Sequence, residues 1–204
     1  MLTVVGCGGH ATASATSPTT AAAPSSSLSV TASSASVPTT STVAPTTTTV
    51  AINTSVVPAV ITVAYVNAVL AQLNHVYGNA VRLVVKTGTI PPAAVADLQA
   101  IYSGQQYQDE LRIFSIQIVN GLQNIKSDPG DRVFTVERFI QVTQACISLV
   151  VSANYSALTS SPAAPAVAFV WMTRSSQADA KSLNNTEWDF SGEMSAQPKS
   201  RVCV

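Results

Sequence analysis

The stretch VNAVLAQLNHVYGNAVRLVVK, residues 66–86, decides the fold. Val66, Val69, Leu70, Leu73, Val76, Tyr77, Ala80, Val81 and Val84 recur at helical spacing, while Asn67, Asn74, Gly78, Arg82 and Lys86 gather on the other side. That pattern is an amphipathic helix with one face against a core. Its polar stripe argues against a membrane span, although Arg82 is the first charged side chain in the sequence. Upstream, Ser55 offers a cap and Pro58 suits a first turn; downstream, Gly88 is a stop. The helix is therefore predicted over residues 55–86.

Working outward towards the C-terminus, Pro91-Pro92 opens a second helix over 93–102, halted by Ser103-Gly104. A third candidate covers 106–120, where Ile113, Phe114, Ile116 and Ile118 leave helix and strand both open. Ser127-Asp128-Pro129-Gly130-Asp131 is then a strong turn signal. Segments 122–126 and 133–142 are expected to pair around it as a hairpin. Ile147, Leu149 and Val151 alternate within 145–155, which predicts a half-buried strand. Further strands are predicted over 167–173 and 188–194, with a short edge at 201–204. Helices first and antiparallel strands afterwards define an α+β fold over residues 55–204, its N-terminal helices packed on one face of a curved antiparallel sheet.

The chain has 204 residues, a formal net charge of +0 and only 10% charged residues. Nothing in that balance supplies the basic surface that phosphate backbones select, so nucleic acid is excluded as a partner. A polybasic membrane patch is missing for the same reason. The mean hydropathy of +0.30 comes from dispersed Ala and Val, with no uninterrupted apolar run long enough to span a bilayer.

Towards the N-terminus, residues 8–54 are low-complexity Ser, Thr, Ala and Pro, including Pro18, Pro24, Pro38, Pro45 and the run Thr46-Thr47-Thr48-Thr49. So few large apolar side chains cannot offset the entropy of ordering, and a disordered stalk is expected. Before it, Val4-Val5-Gly6-Cys7 resembles the lipobox of bacterial lipoproteins. The resemblance implies that Cys7 carries a diacylglyceryl group and that residues 1–7 are the remnant of a lipoprotein signal peptide. The basic and apolar regions of that peptide are then expected upstream of Met1. It also implies that Cys146 and Cys203 are left to pair in an oxidising space outside the membrane. The alternative leaves Cys146 as a buried small hydrophobe and Cys203 as a terminal thiol.

Residues 6–11 also fit G-x-G-x-x-G/A, the dinucleotide-binding turn. That turn requires a following helix to receive the pyrophosphate, and a carboxylate about 20 residues on. Pro18 and Pro24 interrupt any such helix, and the first carboxylate is Asp97. A nucleotide cofactor is therefore not expected, and no other cofactor is implied.

Signatures for zinc, phosphate-loop or nucleophile-elbow chemistry do not occur. His75 beside Tyr77 can line a pocket, with an interfacial helix residue as the plainer reading. Trp171 and Trp188 are the other two candidates to line a pocket, since aromatics commonly do so. Trp171, inside the apolar run 167–171, is more readily a core residue, and Trp188, flanked by charges, is expected at a rim. Glu187, Asp189 and Glu193 share one face of a regular strand, where solvated edge charges are a commoner use than cation binding. No catalytic residue and no metal ligand is assigned.

The order of one long helix, shorter helices and about four strands resembles the cystatin-like or NTF2-like architecture. Ile101-Tyr102-Ser103-Gly104, Cys146-Ile147 and Asn154-Tyr155-Ser156 are similar to small secreted or lipid-anchored actinobacterial (mycobacterial-type) lipoproteins of unknown function. This likeness covers less than half of the chain. It implies a fold and a location, and no catalytic residues come with it. The expectation is a cell-envelope protein held to the extracytoplasmic face of the membrane through Cys7, or secreted if not lipidated. Its domain would be a non-catalytic module for a protein or a small apolar ligand. The alternatives are an NTF2-like enzyme of isomerase or cyclase type, and a structural subunit of an envelope complex.

Overall fold

The computed structural model describes residues 51–161, 164–176, 183–196 and 203. Cys7, nearly all of the Ser/Thr/Ala/Pro segment and most of the expected edge 201–204 lie outside these residues.

Helix α1 spans Val63–Thr87. It starts later than predicted because Thr62, not Ser55, caps it: the Thr62 Oγ1 accepts from the Tyr65 N–H at 3.2 Å. Ser55 instead bonds the Asn53 side chain, and the Pro58 and Ala59 carbonyls accept from Gln144 Nε2, so this lead-in is pinned outside the helix. Gly88 closes α1 in the left-handed region at φ 67°, its N–H donating to the Val84 carbonyl. Helix α2 (Pro92–Ile101) begins on the predicted proline pair. Helix α3 (Gly104–Val119) settles the open segment as helix, although its buried residues are only Glu110 and Phe114. Bonds at i,i+4 from Gln105 to Asp109 and from Gln106 to Glu110 support it locally.

The four strands are β1 (Val133–Val142), β2 (Cys146–Asn154), β3 (Ala166–Arg174) and β4 (Trp188–Met194). They form one antiparallel sheet in the order β1-β2-β3-β4. The architecture is thus α+β, with helices before an antiparallel sheet. Strand β1 pairs with β2 rather than with 122–126, of which Ile125 makes only an isolated bridge to Thr159. Gly121 and Leu122 both adopt positive φ, which turns the chain out of α3 and prevents extended pairing there.

Strand β2 is buried on both faces, not on one. Ile147, Leu149, Val151 and Ala153 join the core, while Ser148 and Val150 lie opposite Trp171 and Phe169 of β3 and are also covered. The core lies between this inner face and α1 with α2; Trp188, Phe190, Tyr102 and Leu70 are among its largest fully buried side chains. The two tryptophans exchange their expected places. Trp188 has 0% exposure and donates its indole N–H to the Tyr65 hydroxyl. Trp171 is half-buried on the outer face, close enough to Gly192 that a Cβ there would meet its ring at 1.8 Å.

An irregularity of the β3–β4 register at Trp171/Met172 matters most for the interior. Met172 pairs with Phe190 and Trp171 with Gly192, leaving Ser191 as an extra residue. A bulge reverses the facing of everything beyond it. Glu193 therefore pairs with Val170, a core position, instead of sharing the face of Asp189.

Candidate functional site

The turn before β1 docks onto α1 and feeds one charged side chain into the core. Asp131 accepts from Arg82 Nη1 at 2.9 Å and lies 2.9 Å from His75 Nδ1. A Cβ on Gly78 would come within 2.0 Å of the Asp131 carboxylate, so glycine permits this approach. Asn74 and Gly78, expected on a solvated stripe, are buried beneath the turn, and Asn67 Oδ1 accepts from the Val136 N–H.

Arg132 follows, with 3% of its surface exposed. Its Nε donates to Asn74 Oδ1 at 2.8 Å, Nη2 to the Tyr102 hydroxyl at 2.8 Å and Nη1 to Glu193 Oε2 at 3.1 Å. The guanidinium carbon lies 4.0 Å from the Tyr77 ring centroid and 4.6 Å from that of Phe134, with Phe190 and Tyr102 within 6 Å. The Tyr155 hydroxyl donates to the other Glu193 oxygen. Burial opposes the charge on Arg132, but the Tyr102 and Glu193 oxygens outweigh it and the group stays cationic. Burial raises the Tyr77, Tyr102 and Tyr155 phenols, so all three remain protonated donors.

Glu110 is a buried acid beside this cluster, 5% exposed, with Gln106 Nε2 donating to it at 3.2 Å. Burial raises its carboxyl above the usual range, and nearby Arg132 offsets this only in part. The folded protein therefore keeps a proton that the unfolded chain has released, so stability falls as pH rises from about 4.3 through the raised value. Glu110→Gln should remove that decline and leave the protein more stable than wild type at pH 7. Urea unfolding at pH 4.5, 5.5 and 7 measures it; an unchanged pH slope would assign the decline to another group.

Two cavities flank Tyr155. The first, of about 250 Å³, is lined by Tyr77, Val81, Val84, Val85, Ile113, Phe114, Gln117, Leu122, Ile125, Tyr155 and Leu158. Its walls are apolar except for the two tyrosines and Gln117, whose Oε1 is buried without a hydrogen-bond partner. The second is a more open groove of about 300 Å³, where Glu110, Glu193 and Gln106 meet Ala153, Ala168 and Met194.

Of the four pocket residues expected from sequence, only Tyr77 lines either cavity. His75 points outward with 57% of its side chain exposed, and both tryptophans lie elsewhere. Arg132, Glu110, Gln117 and Tyr155 were not anticipated. One signal was available for Arg132: it shares the period of two with Phe134 and Val136, the inward positions of β1.

Cys146 and Cys203 form a disulfide, with their Cα atoms 5.6 Å apart. Among the described residues no group of His, Cys, Asp and Glu is placed to hold a metal ion. Nor is any helix among them long and apolar enough to cross a membrane. Comparison with known proteins finds no matching family, no matching curated protein and no matching solved structure.

Proposed function

We propose that this chain is a lipid-anchored cell-envelope protein on the extracytoplasmic face. Its cystatin-like or NTF2-like domain is a non-catalytic module that receives a small apolar molecule. The observation that carries the binding reading is the cavity between α1, α3 and residues 122–158, larger than the cavities of about 150 Å³ that admit benzene. The disulfide suits an oxidising compartment, and Val4-Val5-Gly6-Cys7 supports the anchor. Two acyl chains on Cys7 would hold the protein stably, at about 0.8 kcal/mol per buried methylene.

Each half of the reading has its own test. Cells expressing the wild type incorporate radioactive fatty acid into the protein and those expressing Cys7→Ala do not; equal labelling rejects the anchor. Titration with p-xylene shifts the methyl resonances of Val81, Val84, Leu122 and Leu158. Unmoved methyls reject the pocket.

A second reading, an acid–base enzyme, draws on the inward-facing Glu110 and Glu193 at the groove. It ranks lower because both Glu193 oxygens are already engaged, by Arg132 and by Tyr155.

A further inference from the structure

Two irregularities converge on one wall of the apolar cavity. Gln117 lies on the last turn of α3 and lines the cavity, yet its Oε1 is buried with no donor in reach. An unmatched acceptor of this kind is expensive, because it has given up water and gained nothing. Five residues on, Leu122 also lines the cavity and holds φ at 56°, a left-handed conformation that a branched side chain rarely adopts. The two are joined, since the Leu122 N–H donates to the Gln117 carbonyl at 2.8 Å. Gly121, also at positive φ, accounts for the direction the chain takes out of the helix, but Leu122 has no such freedom. Strain of this sort persists where surrounding structure holds it for a purpose. Here it closes the chain over the cavity and sets Leu122 against the same space that Gln117 faces.

We infer that the ligand of this cavity is a small apolar molecule bearing a single hydroxyl, a phenol or an alcohol, whose O–H donates to Gln117 Oε1. The inference deepens the binding reading above and rests on it. The apolar walls select the body of the molecule. A carboxylate is disfavoured, because no Lys or Arg is among the lining residues, and Arg132, whose guanidinium lies over the Tyr77 ring, is enclosed by Asn74, Tyr102, Glu193 and four rings. A hydrocarbon without a donor leaves Gln117 as it is now, unmatched. The terminal amide torsion of Gln is soft, so the oxygen turns to a donor at small cost.

The test compares p-cresol with p-xylene, which have nearly the same shape but differ in the O–H. Binding to the wild type and to Gln117→Met is followed on the Val81, Val84 and Leu158 methyl signals. Met fills similar volume and Gln117 contributes no side-chain hydrogen bond to the fold, so this variant keeps its structure. The ratio of p-cresol to p-xylene affinity is expected to fall about tenfold in Gln117→Met, the usual consequence of losing one buried hydrogen bond. The affinity for p-xylene should stay within about twofold, as nothing that touches it changes character. An unchanged ratio overturns the hydroxyl inference and leaves the pocket standing. Failure of both molecules to move the wild-type methyls overturns the pocket itself.

Discussion

Replacing Arg132 by Met should destabilise the domain by about 3–5 kcal/mol, the range seen when one partner of a buried ion pair is removed. The substitution leaves the Glu193 carboxylate, 16% exposed, without its cation, and it strips the Tyr102 hydroxyl and Asn74 Oδ1 of their donor. It also removes the cation enclosed by four aromatic rings. Most of this cost belongs to the abandoned partner rather than to the lost attraction. The double variant Arg132→Met/Glu193→Gln should therefore recover about 2 kcal/mol relative to the single one. Urea unfolding of the three proteins is sufficient. A single variant within about 1 kcal/mol of wild type would show that the cluster adds little to stability.

The second large effect is expected at the covalent link. Cys146 and Cys203 are 57 positions apart, and cross-linking a loop of that length is worth about 4 kcal/mol in the chain-entropy view. Cys146→Ser/Cys203→Ser should lose that amount, and the wild type should lose it on reduction. Reductant should then have no effect on the double variant. A similar urea midpoint for oxidised and reduced wild type would mean that the reduced unfolded chain already keeps the two segments close, so that the link removes little of its freedom.

The parts of this fold legible in the sequence are those where one periodicity runs unbroken. Helix α1 is the clearest case, because its apolar stripe continues for about five turns and Gly88 ends it. Strands β3 and β4 were placed to within a residue or two by their apolar runs and flanking turns. Errors arose where a single residue changes the count. Reading β4 as a regular strand puts Glu193 beside Asp189 on an outer face; the extra residue at Ser191 turns it inward to meet Arg132. Nothing local marks that position, since the bulge depends on β3 and on Ser103, whose N–H donates to the Phe190 carbonyl. Asn74 misled for a related reason. A polar residue on a helix reads as solvent-facing unless its buried partner is known, and that partner lies 58 positions away. The cavity was harder still. Tyr77 was singled out, but Gln117, Leu122 and Tyr155 come together only once α3 and the segment after β2 are packed in space.

The β1–β2 turn gives the domain a polarity. Gln144 on that turn holds the chain where it enters, at Pro58 and Ala59, and Cys146 beside it holds the other terminus at Cys203. Both ends of the domain are thus fastened at one pole. Tyr155 and Leu158, on the cavity wall, follow the far end of β2, nine residues and about 30 Å away. The disulfide at Cys203 and the Gln144 bonds place both attachments at the end of β2 remote from the cavity. The domain is built like a lantern on a bracket, with its attachments at one end and its opening at the other.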